Sequence, residues 1–221
     1  ILEHDGSVRP PVDWRPLKEA DGFTDLLSVG SFPAWLYGPE YTGDRRDLHP
    51  PRDWKRYEAL FEAFARANPD LPYFSTYNEA NAKWRGTSEE FIKFQALMAR
   101  GARRGNPNIE VSGPGDFSIN LESFQRYVQR GMFGTNGLNG VNIHAYIGAT
   151  PPEGEFINRV IGMCEILKDA GFGDLPVYIT EFGWSRGSNT REYPIPNPAD
   201  HPRYVARSLA LLAAQPIDAL I

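Results

Sequence analysis

Short apolar and β-branched runs alternate along this chain with longer stretches in which apolar positions recur every three or four residues. That is the pattern of buried strands separated by amphipathic helices. Asp25 to Gly30 (DLLSVG) reads as the first strand. Behind Asp53, a good N-cap, Trp54, Tyr57, Leu60, Phe61 and Phe64 recur at helical spacing and predict a helix that ends before Asn68-Pro69. A strand through Tyr73, Phe74, Thr76 and Tyr77 follows, and its aromatic, β-branched character gives out at Asn78-Glu79. Thr87 with Glu90 predicts a capping box ahead of a helix bearing Phe91, Phe94, Leu97 and Met98 as far as Gly105. Ile109 to Gly113 is the next strand, and Asn120 is placed to cap a helix carrying Leu121, Phe124, Tyr127 and Val128. A loop rich in Gly and Asn then leads to a strand over Val141 to His144. A helix around Ile157 to Leu167 precedes the strand Val177, Tyr178, Ile179 and Thr180, at whose end stands Glu181. Asp200 is expected to cap the helix bearing Tyr204, Val205, Leu209 and Leu212, and Ile217 begins one more strand. Arg9-Pro10-Pro11 interrupts the mixed first residues, where only a short helical pattern around Trp14 and Leu17 is visible.

Strand then helix throughout predicts an α/β fold, and strands too apolar for a one-sided sheet predict parallel strands covered by helices. The choice lies between a doubly wound sheet and a (β/α)8 barrel. No Gly-rich phosphate fingerprint follows any strand, while polar candidates gather after several different strands, as on the C-terminal rim of a TIM barrel. The barrel is favoured. Six strands are countable, so residues 1–221 are expected to form a single partial TIM barrel, strands three to eight only. The strands near Leu27 and Ile217 would then be open edges, with the rest of the barrel supplied by residues outside this chain.

Composition narrows the function classes. A net charge of −5 and the lack of a dense Lys/Arg cluster argue against nucleic acid, since phosphate binding needs a concentrated positive surface. No apolar run approaches the length of a membrane span. The lone cysteine, Cys164, shares an apolar helical face with Ile157, Val160, Ile161 and Leu167 and reads as a core residue. It leaves the compartment open, with a secreted or extracellular setting the favoured one. Five Trp, ten Tyr and thirteen Phe exceed what a core of this size needs, and ring faces suit the C–H faces of sugars.

Two strand-terminal glutamates carry the candidate chemistry. If Glu79 and Glu181 end strands three apart around a barrel, their side chains converge over its mouth. Two carboxyl groups about 5 Å apart suit double displacement at a sugar carbon, one attacking while the other protonates the leaving oxygen. His144 and Tyr146 are two residues apart at the end of the adjacent strand and point the same way, so the Tyr146 hydroxyl is within reach of Glu181. Core packing is the competing reading of Tyr146, and a solvated loop position that of Glu79. Trp35, Trp84 and Trp184 each follow a strand end and are expected near the rim as sugar platforms, with loop packing as the alternative. Asp116, after Gly-Pro-Gly, reads as a turn residue ahead of the competing reading, a partner of a sugar hydroxyl. No HExxH or Cys/His spacing appears, and neither a metal nor a cofactor is expected.

Asn78-Glu79, His144-Ala145-Tyr146 and Thr180-Glu181-Phe182-Gly183-Trp184 resemble the corresponding runs of retaining β-glycosidases of glycoside hydrolase clan A. With the Phe32-Pro33-Ala34-Trp35 loop, they look most like family 39, with family 5 next. The resemblance implies Glu79 as acid/base, Glu181 as nucleophile and Asn78 as a partner of the sugar 2-hydroxyl. It implies a substrate that is a β-linked oligo- or polysaccharide, as in cellulase-like polysaccharide degradation. Ala80 departs from the proline many relatives carry after the glutamate. Two other classes remain: a non-catalytic carbohydrate-binding barrel, in which the glutamates only accept hydrogen bonds, and an α/β fragment with another activity. Catalysis alone requires both carboxylates and the tyrosine to meet at one point.

Overall fold

The computed structural model describes residues 26–29, 36, 48–146, 148, 150–184 and 197–220. Trp35, the remainder of its loop and the helical pattern around Trp14 lie outside the described residues. Six strands form one sheet: β1 (Leu26–Val29), β2 (Tyr73–Tyr77), β3 (Glu110–Asp116), β4 (Gly140–His144), β5 (Val177–Glu181) and β6 (Ala219–Leu220). Every adjacent pair is parallel, and the spatial order is the chain order, β1 to β6. A doubly wound sheet reverses direction at a switch point; this one steps the same way at each crossover, as a TIM-like barrel does. β1 and β6 are its outer strands, so among the described residues the sheet is open.

The helices form where the apolar spacing places them. α1 (Trp54–Ala67) is capped by Asp53, whose side chain accepts from the Lys55 and Arg56 amides at 2.9 and 3.0 Å. A one-turn helix, α2 (Ala80–Lys83), follows Glu79. α3 (Ser88–Gly105) starts at a complete Thr87/Glu90 capping box, and Asn120 caps α4 (Leu121–Gln129) through the Ser123 amide. A π-turn over Pro152–Phe156 leads into α5 (Ile157–Asp169), and a 3-10 turn over Pro198–Asp200 into α6 (His201–Leu212). The expected Asp200 cap is not made. That residue already has helical backbone angles, which turn its side chain from the free amides, and its carboxylate meets Arg203 at 3.3 Å.

α1 and α3 pack closely because glycines let them. A β-carbon at Gly101 would stand 2.3 Å from the Glu58 carbonyl oxygen, and one at Gly105 2.1 Å from that of Glu62. Arg100 grips the Glu58 carboxylate through two nitrogens at 2.5 and 2.8 Å, which holds Glu58 below the usual carboxylate range.

The two faces of the sheet differ in a way the strand composition conceals. Phe74 stacks on Phe61 and meets Phe64 edge-on beneath α1, and Val111, Val141, Ile143, Val177 and Ile179 are buried. The alternate positions are polar. Asn142 donates from Nδ2 to the Ser75 hydroxyl and accepts at Oδ1 from Thr180, both at 2.5 Å, joining β2, β4 and β5. Strands expected to be apolar on both sides instead present one greasy face to the helices. The opposite face carries this hydrogen-bonded network, although the buried Ser112 hydroxyl and Glu110 Oε1 on the same face have no partner among the described residues. Cys164 packs against the core as expected, and burial pushes its thiol up to about 11.

Candidate active site

The site stands at the C-terminal ends of β2, β4 and β5. After Tyr77 the chain turns through Glu79, whose backbone lies in the left-handed region at φ 52°, ψ 43°. It is the one residue other than glycine with positive φ among the described residues. Such a conformation costs a residue with a β-carbon roughly 1–3 kcal/mol and persists only when its surroundings hold it. Here the Glu79 amide donates to the Gly115 carbonyl at 2.8 Å, and Lys83 Nζ donates to the Asn78 carbonyl at 3.0 Å. Asn78 is thus half-buried beside Glu79, with its backbone oxygen engaged.

His144, 3% exposed at the end of β4, lies between the two glutamates. Its Nδ1 is 3.3 Å from Glu79 Oε1 and 3.5 Å from Glu181 Oε2. Nδ1 thus faces both carboxyl groups, and whether it donates or accepts follows the ring's tautomer. The β4–β5 register sets this meeting: His144 pairs with Glu181, and the Ala145 amide donates to the Glu181 carbonyl at 2.7 Å. Tyr146 then reaches across, its hydroxyl donating to Glu181 Oε2 at 2.9 Å. One polar atom from each of Glu79, His144 and Glu181 lies within 4.8 Å of the others. These three side chains could also hold a cation, though hydrogen bonding alone accounts for their approach.

Glu79, His144, Tyr146 and Glu181 are therefore brought together as the spacing predicts. Trp84 and Trp184 are not, and Trp35 lies outside the described residues. Trp84 donates its indole N–H to the Thr87 carbonyl at 2.8 Å, and its ring lies 5.6 and 5.1 Å from Phe91 and Phe94 of α3. Trp184, 8% exposed, donates to the Thr150 carbonyl at 3.1 Å between Phe156 and Tyr204. Both rings seat loops on helices rather than stand as open platforms, because each loop folds back on apolar helix surface.

Asp116 departs furthest from its reading as a turn residue. It belongs to β3, is 4% exposed, and bonds to Tyr127 of α4 while its Oδ1 has no partner among the described residues. Burial pushes its carboxyl up to about 7, only partly offset by the Tyr127 hydrogen bond. Phe117, which the sequence pattern does not single out, lies against Tyr146 with ring centroids 5.6 Å apart. The Ser75–Asn142–Thr180 network was also missed. Its trace is that Asn142, His144 and Tyr146 stand at intervals of two, a polar stripe inside an apolar strand.

No family model matches the sequence. Solved structures do match the fold. A family 39 glycoside hydrolase from Bacteroides cellulosilyticus superposes with a TM-score of 0.67 at 16% identity, over 93% of this chain and 44% of that one. A family 39 β-xylosidase from Caulobacter crescentus gives 0.64 at 18% identity, over 100% of this chain and 50% of that one. A glucosidase from Croceicoccus marinus gives 0.61 at 19%, over 79% and 39%. At these identities the likeness shows the fold: a parallel α/β sheet that forms part of a TIM-like barrel, shared with glycosidases of family 39. The chain spans half or less of the length of these three structures.

Proposed function

We propose that this chain carries the catalytic face of a retaining glycoside hydrolase of family 39 type, contributing strands three to eight of the barrel. Its substrate is a β-linked oligo- or polysaccharide. The observation that supports this most is the meeting of the two strand-terminal carboxylates within 4.8 Å, with Tyr146 donating to one of them. A pair this close leaves no room for a water between the second carboxylate and the anomeric carbon. Inverting enzymes need that room and hold their carboxyl groups roughly 6.5–9.5 Å apart, against about 5–5.5 Å in retaining ones.

Glu181 acts as nucleophile. It is the carboxylate that receives the Tyr146 hydroxyl and the more exposed of the two, its side chain 41% accessible against 23% for Glu79. Glu181 attacks the anomeric carbon as Glu79 gives its proton to the departing oxygen. Glu79 then takes a proton from water, which displaces Glu181 from the sugar. His144 aligns both groups from beneath, and Asn78, next to Glu79, binds the sugar 2-hydroxyl. No cofactor takes part.

A 2-deoxy-2-fluoro β-glycoside with a good leaving group slows release of the covalent intermediate and tests this directly. The expected result is a peptide carrying the sugar on Glu181, found by mass spectrometry; labelling of another residue, or none by any β-glycoside, would count against the reading.

A further inference from the structure

The segment that ends β3 touches the supports of both carboxylates. The Gly115 carbonyl accepts the Glu79 amide at 2.8 Å. Two residues on, the Phe117 amide donates to Asn81 Oδ1 at 3.0 Å, in the helical turn that follows Glu79. The Phe117 ring in turn lies against Tyr146, tilted by 31°, and Tyr146 holds Glu181. The segment is itself fixed from behind. Gly115 takes φ +68°, where a β-carbon would stand 2.9 Å from the Tyr77 carbonyl oxygen, and the buried Asp116 side chain between them is tied to Tyr127.

We infer that Phe117 and Asn81 are positioning residues that couple the two carboxylates. Phe117 holds the Tyr146 hydroxyl on Glu181, and Asn81 ties the turn that aims Glu79 to the same segment. This rests on the glycosidase reading for its kinetic consequences, though not for its geometry. Neither residue reaches the other carboxylate directly. The segment works as a bracket: its main chain fixes the Glu79 turn and its one ring backs Tyr146, so the spacing of acid and nucleophile is set by three consecutive residues.

The test uses Phe117→Ala, Phe117→Leu, Tyr146→Phe, the Phe117→Ala/Tyr146→Phe double variant and Asn81→Ala, assayed with aryl β-xylosides and β-glucosides of graded leaving groups. Phe117→Ala should lower kcat about tenfold and shift the acid limb of the kcat/KM profile, since the Tyr146 hydroxyl is no longer held on Glu181. Phe117→Leu, which keeps apolar bulk against Tyr146, should restore most of both. Adding Phe117→Ala to Tyr146→Phe should move the limb no further, because the two act through one contact. Asn81→Ala should slow poor leaving groups more than good ones, since only the former need the Glu79 proton. An unchanged limb in Phe117→Ala, or shifts that add in the double variant, would overturn the inference. A crystal structure of Phe117→Ala separates the two claims. If no glycoside is hydrolysed by the parent protein but the Tyr146–Glu181 contact is lost in this variant and kept in Phe117→Leu, the bracket stands and the glycosidase reading falls; an intact contact sinks the bracket whatever the activity.

Discussion

Glu79 occupies a backbone conformation that a glycine would take with less strain, at φ 52°. The carboxylate is thus placed at a conformational cost, which fits a residue kept for its side chain rather than its fold. Replacing it separates the two effects: Glu79→Gly and Glu79→Ala should lose activity equally toward poor leaving groups, while the glycine variant unfolds about 1 kcal/mol later in a denaturant titration. Equal stability would mean that the left-handed turn is not strained. Asp116 presents a second residue-scale case. Its folded carboxyl is raised to about 7 by burial, so the folded state keeps a proton that the unfolded chain has lost above its ordinary value of 3.8. Stability from this group is therefore full below about pH 4, falls as pH rises toward 7, and levels off beyond. Asp116→Asn should flatten that slope, with a difference on the order of a few kcal/mol between pH 4 and pH 8 in the parent protein. A slope that survives the substitution would assign it elsewhere.

At the scale of elements, helix caps and strand ends were legible because their signals are local. Asp53, the Thr87/Glu90 box and Asn120 act where the sequence places them, and Glu79 and Glu181 end strands as their neighbours foretell. Contacts between distant elements left no such trace. Nothing near Trp84 or Trp184 announces that Phe94 or Tyr204 will cover the ring, and Gly-Pro-Gly-Asp reads as a turn until β4 pairs with it. The glycines of α3 are a similar case, ordinary in sequence and decisive in packing. Gly101→Ala forces a methyl onto the Glu58 carbonyl, and α1 must move away; a loss of about 1–3 kcal/mol is expected in thermal or chemical unfolding. A variant as stable as the parent would show that the helix pair has slack.

Taken as a whole, the molecule is a sheet whose chain order and spatial order coincide, with β1 and β6 at its outer edges among the described residues. Unpaired parallel edges are templates for association. The 221-residue chain is expected to self-associate with rising concentration in sedimentation analysis, and a monodisperse monomer with one cooperative melt would argue that these edges are protected. Among the described residues, no helix is long and apolar enough to cross a membrane. What the sheet achieves is convergence: β2 and β5, separated by two strands, deliver carboxylates to one point, and β4 delivers the histidine between them. The roles assigned to those carboxylates are tested most directly by the stereochemistry of azide rescue on an aryl β-glycoside with a good leaving group. In Glu79→Ala, azide should intercept the glycosyl-enzyme and give the β-glycosyl azide, with retained configuration; in Glu181→Ala it should enter in place of the missing nucleophile and give the inverted α-azide. The opposite pair of products would exchange the two roles, and unimpaired hydrolysis by both variants would contradict the account.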